Sequence, residues 1–212
     1  MTLPILYSFR RCPYAMRARM ALILASKECE LREILLKDKP DKMLQVSSKG
    51  TVPVLEFPDK VIDESLDIIS WAMESPVPNV HSYTEAEEIA SKELIQLFDS
   101  KFKHHLDRYK YSSRYGVDPL EHQEECKAIL ENLDAEIHPN PWIFGKQVSL
   151  LDISILPFIR QYKIANPDWF FAQNFTKVIV LLNYFEKSDL FIQAMQKFEL
   201  WDPIKKNGNI FP

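Results

Sequence analysis

Apolar and polar positions change their period along this chain, and the change divides it. Short apolar runs at 3–7, 29–35, 52–57 and 60–62 read as strands, the last two joined by Pro58-Asp59, which suits a tight turn. Between them, 13–26 carries apolar residues at helical spacing (Met16, Met20, Ile23, Leu24), and 38–46 and 65–74 read as further helices. The predicted order is β-α-β-α-β-β-α. Ser75-Pro76-Val77-Pro78-Asn79 then interrupts the pattern. Beyond it strand signals fade, and helices are predicted over 85–109, 120–136, 149–164, 175–186 and 190–200. Ser149 and Asp152 stand at capping-box spacing at the head of the third. The expectation is an α/β domain over 1–75, a linker over 76–83 and an all-helical domain over 84–212.

Length and composition narrow the class. With 212 residues, 46% apolar and 26% charged, the chain can bury a sizeable core. A net charge of −4 gives no electrostatic footprint for nucleic acid or an anionic membrane, so neither is expected as a partner. No apolar run approaches the roughly eighteen residues of a membrane span. Arg10 and Arg11 interrupt the N-terminal apolar run too early for a signal peptide. The four glycines are too scattered for a GxGxxG or Walker loop. Adjacent His104 and His105 point about 100° apart on a helix, so they read as surface residues, and no metal is expected. Three widely spaced cysteines make no disulfide framework and point to a reducing compartment, the cytosol.

The candidate chemistry starts at Cys12-Pro13-Tyr14-Ala15, between the first strand and the first helix. A helix N-terminus presents unpaired N–H groups and partial positive charge, which stabilise a thiolate there. A cysteine in that place is expected to ionise below the unperturbed value of about 8.5. Pro13 suits the first helical position. Arg10, Arg11, Arg17 and Arg19 add positive charge nearby. Ala15 stands where a Cys-x-x-Cys pair would have its second thiol, so the chemistry would be monothiol. The competing reading, a small buried hydrophobe, fits Cys29 and Cys126, which lack this setting.

Three weaker signals accompany it. Val52-Pro53 opens a strand, where a cis bond would turn the preceding backbone toward a peptide ligand, and an ordinary edge proline is the alternative. Glu64-Ser65 stands where strand gives way to helix. Ser65 could cap, the first-turn N–H groups could bind a carboxylate, and Glu64 could accept an ammonium. Lys39 precedes Pro40 and alone signals little.

Together these segments resemble the glutathione transferase superfamily, in its cysteine-type branch, and most of all the omega class. Leu6-Tyr7-Ser8-Phe9-Arg10-Arg11-Cys12-Pro13-Tyr14-Ala15 is similar to the omega active-site segment, and Leu36-Lys37-Asp38-Lys39-Pro40 to its lysine-proline segment. Thr51-Val52-Pro53-Val54-Leu55-Glu56 is similar to its cis-proline segment and Asp63-Glu64-Ser65 to its γ-glutamyl site. Ser149-Leu150-Leu151-Asp152 with Pro157-Phe158 resembles its buried capping-box helix. The resemblance implies a thioredoxin-like N-terminal domain, an all-α C-terminal domain, glutathione as cosubstrate and a homodimer. It implies that Cys12 forms a mixed disulfide with glutathione, that Val52 beside Pro53 pairs with the cysteinyl backbone, that Glu64 and Ser65 hold the γ-glutamyl ammonium and carboxylate, and that Lys39 faces the glycine carboxylate. Tyr7 reads as strand core. The expected activity is thiol transfer or reduction, an oxidoreductase chemistry that extends to dehydroascorbate, with a small-molecule or protein disulfide as second substrate. Conjugation of electrophiles, or a non-catalytic binding protein, are the alternatives. Phe98, Phe102, Tyr109 and Trp169 are candidates to line a second-substrate site, with core packing the stronger reading for each.

Overall fold

Parallel pairing of β1 (Ile5–Ser8) with β2 (Cys29–Glu33) through the crossover helix α1 (Pro13–Leu24) anchors the first part of the chain in this computed structural model, which describes residues 2–212. The helix α2 (Asp41–Val46) leads to β3 (Val54–Glu56), which runs antiparallel to β1 with Tyr7 opposite Val54. β4 (Val61–Ile62) pairs with β3, and α3 (Ser65–Ala72) packs against α1. This is the predicted β-α-β-α-β-β-α order. Tyr7 is fully buried with Ala15, Ile34, Met43, Val52 and Val54, so its reading as strand core agrees with the structure.

The chain divides into two compact units, one of residues up to Pro78 with Ser188–Pro212, the other Asn79–Lys187. This departs from the expected boundary of 84–212. The last segment, read as the end of an all-helical domain, returns to the first unit. Among the described residues it adds a fifth strand, β5, at Asn209–Phe211, antiparallel to β2, giving the order β4-β3-β1-β2-β5. The physical reason lies in Phe211, which is 2% exposed, and in the open edge that β2 otherwise presents. The helix expected over 190–200 is shorter, spanning Asp189–Ala194.

The second unit is helical. It begins with α4 (Glu85–Leu97), capped by a Thr84/Glu87 box, and continues through a π-helical turn, Phe98–Phe102, into α5 (Lys103–Lys110). The single helix expected over 85–109 is therefore interrupted. Phe98 and Phe102 stack at 4.5 Å between ring centroids and are fully buried, so core packing accounts for both. Tyr109 and Trp169 pack on Tyr162 in the same unit. The short α6 (Ser112–Tyr115), then α7 (Pro119–Glu136), α8 (Leu150–Ala165), α9 (Pro167–Phe171) and α10 (Thr176–Lys187) complete it. His104 is exposed as expected, whereas His105 is half-buried and meets the buried His122 at 2.8 Å between Nδ1 atoms, which corrects the surface reading of His105. Among the described residues no helix is long and apolar enough to cross a membrane.

Asp152 holds the head of α8 together. Its buried carboxylate accepts from the Ser149 hydroxyl and backbone N–H and from the Ile143 backbone N–H, while Ser149 Oγ accepts from the Asp152 N–H. Burial pushes its pKa from 3.8 to about 6, against the pull of these bonds. Asp152→Ala strands two buried N–H groups and is expected to destabilise folding by about 3 kcal/mol in urea titration. Because the native pKa is raised, the native state binds the proton first. The stability that Asp152 confers should therefore shrink as pH rises from 3.8 to about 6. A gap between wild type and variant that instead widens over that range contradicts the assignment.

Candidate functional site

Cys12 is the N-cap of α1, extended at φ −77 and ψ 124, with Pro13 at the first helical position and no acidic residue in the first turn. Its N–H is held by the Phe9 carbonyl at 2.9 Å, and its own carbonyl accepts from Met16 N–H at 2.9 Å. The side chain is half-buried, and Sγ lies 3.7 Å from the Val52 carbonyl oxygen. The other two thiols are fully buried, and burial pushes the Cys29 pKa up to about 12 and raises that of Cys126.

The structure thus brings Cys12 to the Val52-Pro53 turn, whose peptide bond is cis. Lys39 approaches Gly50, two residues before Val52. Its Nζ lies 3.8 Å from where a β-carbon on Gly50 would stand, and Gly50 has φ +61, a conformation that side chains disfavour. Ser65 is the first residue of α3 and 2% exposed. Glu64, not Ser65, occupies the N-cap position, and its side chain makes no capping bond. Sequence reasoning missed what supports Ser65: Arg17, 3% exposed, reaches over from α1 and donates from Nε to Ser65 Oγ at 3.0 Å. The Cys12 helix and the α3 N-terminus are therefore tied by one buried cation. Glu64 stands more exposed, and its carboxylate accepts from Lys49.

The four arginines do not simply surround Cys12. Arg19 is fully buried and paired with Glu33; Arg17 goes to Ser65; Arg10 donates to the Met195 carbonyl; and Arg11 lies over the Phe9 ring. Glu33 also accepts the Arg10 backbone N–H at 2.7 Å, fixing the turn just before Cys12. Tyr7, the nearest alternative activating hydroxyl, bonds to Glu56 and Arg32, and burial pushes its pKa up to about 12. Among the described residues no group of three or more His, Cys, Asp or Glu side chains could hold a metal ion. The arrangement offers one accessible thiol, a backbone carbonyl beside it, cationic and N–H donors for carboxylates, and a carboxylate for an amine.

Known proteins resemble this chain in sequence and in fold. Residues 6–79 match the family model for the N-terminal domain of glutathione S-transferase, and residues 93–186 match that for its C-terminal domain. The protein named glutathione S-transferase DHAR2 of Arabidopsis thaliana is 26% identical over 79% of this chain and 76% of its own length. The crystal structure of glutathione transferase Omega 3C from Trametes versicolor superposes with a TM-score of 0.75 at 19% identity, covering 94% of this chain and 92% of that one. A glutathione transferase family member from Pseudomonas fluorescens pf-5, with two glutathione bound, gives 0.75 at 18% identity over 91% and 92%. These two superpositions speak to the fold: a thioredoxin-like unit followed by a helical one.

Proposed function

The chain belongs to the glutathione S-transferase family, and on that premise we propose that it is a glutathione-dependent thiol transferase working through Cys12. The observation that carries this reading is the thiol's setting. Cys12 occupies the N-cap position of α1 with Sγ 3.7 Å from the Val52 carbonyl, Ala15 stands where a second thiol of the same turn would be, and the remaining thiols are buried. A glutathione extended along this turn would pair its cysteinyl backbone with Val52 beside Pro53. Its glycine carboxylate would face Lys39, its γ-glutamyl carboxylate Ser65 and the α3 N–H groups, and its ammonium Glu64. Arg17 supports the carboxylate end by holding Ser65.

The reaction proceeds in two exchanges. The Cys12 thiolate attacks the glutathione sulfur of a mixed disulfide; that S–S bond breaks, the substrate thiolate leaves and takes a proton, and Cys12 retains the glutathionyl group. A glutathione thiolate then attacks that sulfur, forming glutathione disulfide and restoring the Cys12 thiolate. Dehydroascorbate reduction draws on the same thiols, two glutathione molecules supplying two electrons and two protons. This chemistry suits a reducing compartment such as the cytosol, and we infer the homodimer that family resemblance implies.

Alkylation by iodoacetamide as a function of pH, before and after treatment with glutathione disulfide, tests the reading. The expected result is a Cys12 that reacts with an apparent pKa well below about 8.5 and acquires one glutathione adduct. An inert Cys12 with no adduct overturns it and favours a non-catalytic binding protein.

A further inference from the structure

Glu64 already has an ammonium partner within the chain. Lys49 Nζ donates to Glu64 Oε1 at 2.6 Å and to Asp63 Oδ1 at 2.9 Å. Asp63 is held from its other side by the Ser47 hydroxyl at 2.7 Å. The two carboxylates differ in setting: the Asp63 side chain is 27% exposed and bonded twice, whereas that of Glu64 is 62% exposed and engaged by Lys49. The Lys49–Glu64 arm is thus a solvent-facing ion pair, the kind that breaks readily, while the Lys49–Asp63 arm has Ser47 to fix its acceptor.

We propose that Lys49 is a displaceable internal cation that occupies the γ-glutamyl ammonium subsite and sets its selectivity: the incoming ammonium takes Glu64 while Lys49 stays on Asp63. The inference rests on the glutathione reading given above. Both cations are compact –NH3+ groups, and lysine carries its own on a flexible stem, so one can substitute for the other on a carboxylate. Glutathione, with its amine, exchanges one ion pair for another. A ligand whose amine is blocked leaves Lys49 in place and gains nothing from Glu64. Asp63 keeps Lys49 within reach, so the subsite closes again when ligand leaves.

The sign of one measurement separates this from plain electrostatics. Glutathione carries two carboxylates and one ammonium, so a lysine that merely attracts it would, on removal, weaken binding. Displacement requires the opposite. In calorimetric titration with glutathione, Lys49→Gln is expected to bind about two- to five-fold more tightly than wild type, the range of an exposed ion pair. Glu64→Gln is expected to bind about ten-fold more weakly. In the Lys49→Gln/Glu64→Gln double variant the gain from losing Lys49 should vanish, because the two act on one subsite. N-acetylglutathione should bind wild type and Lys49→Gln alike. If Lys49→Gln binds glutathione equally or more weakly while Glu64→Gln still loses affinity, the displacement is refuted and the ammonium role of Glu64 stands. If Glu64→Gln leaves affinity unchanged, both fall together.

Discussion

Cys12→Ser is expected to lower turnover of a glutathionyl mixed disulfide by about three orders of magnitude or more, while glutathione affinity stays within about two-fold of wild type. A serine hydroxyl does not ionise near neutral pH and cannot form the mixed disulfide. It can donate to the Val52 carbonyl as the thiol does at 3.7 Å, so the local backbone keeps its partner. The groups assigned to glutathione, Lys39, Val52, Glu64 and Ser65, are untouched. Among the described residues no other side chain is placed to take over the nucleophile's role. Cys29 and Cys126 are fully buried, and the Tyr7 hydroxyl is engaged by Glu56 and Arg32 with its pKa near 12. Coupled turnover and calorimetry on the same preparation separate the outcomes. Retained turnover removes Cys12 as nucleophile. Lost turnover with lost binding would mean the thiol is needed to build the site.

What was legible in the sequence is what local rules govern. A strand followed by Cys12-Pro13 and an apolar helical spacing is a statement about one turn of chain, and the structure has that turn with Cys12 as N-cap. Ser149 and Asp152 likewise form their capping box within four residues. Pairings that close over long separations were not legible. β5 is three residues long, and only its partner 182 residues away, with Cys29 opposite Phe211, makes it a strand. Arg17 and Arg19 show a second limit. Arginine is mostly exposed in proteins, so composition suggests charges spread around the thiol. Instead Ser65 accepts from one, and Glu33, Ser8 and Ala194 accept from the other. Lys49 shows a third: no local pattern marks it, and only the fold carries it to Asp63 and Glu64.

The buried Arg19–Glu33 pair joins these observations into a second large expected effect. Arg19 has no exposed surface; Nε donates to Ser8 Oγ at 2.8 Å, Nη1 to the Ala194 carbonyl at 3.2 Å, and Nη2 to Glu33. Glu33 in turn accepts the Arg10 N–H, and the Arg10 guanidinium reaches the Met195 carbonyl. One pair therefore fastens β1, β2, the turn before Cys12 and the end of α11 (Asp189–Ala194). Burial lowers the Arg19 pKa and Glu33 opposes that, so each charge is tolerable only because the other is present. Glu33→Ala should destabilise folding by about 3–5 kcal/mol, because it leaves a buried guanidinium without its counter-charge. Arg19→Met/Glu33→Leu removes both charges and keeps the volume, and should recover most of that loss. The test is chemical denaturation of both variants beside wild type. A double variant as unstable as Glu33→Ala would show that the bonds to Ser8, Arg10 and Ala194 carry the stability, rather than the balance of charge. If the balance does carry it, the double variant folds with the Arg10 N–H unclaimed. Its Cys12 should then alkylate with a pH profile shifted from wild type, since the turn that presents the thiol has lost its anchor at Glu33.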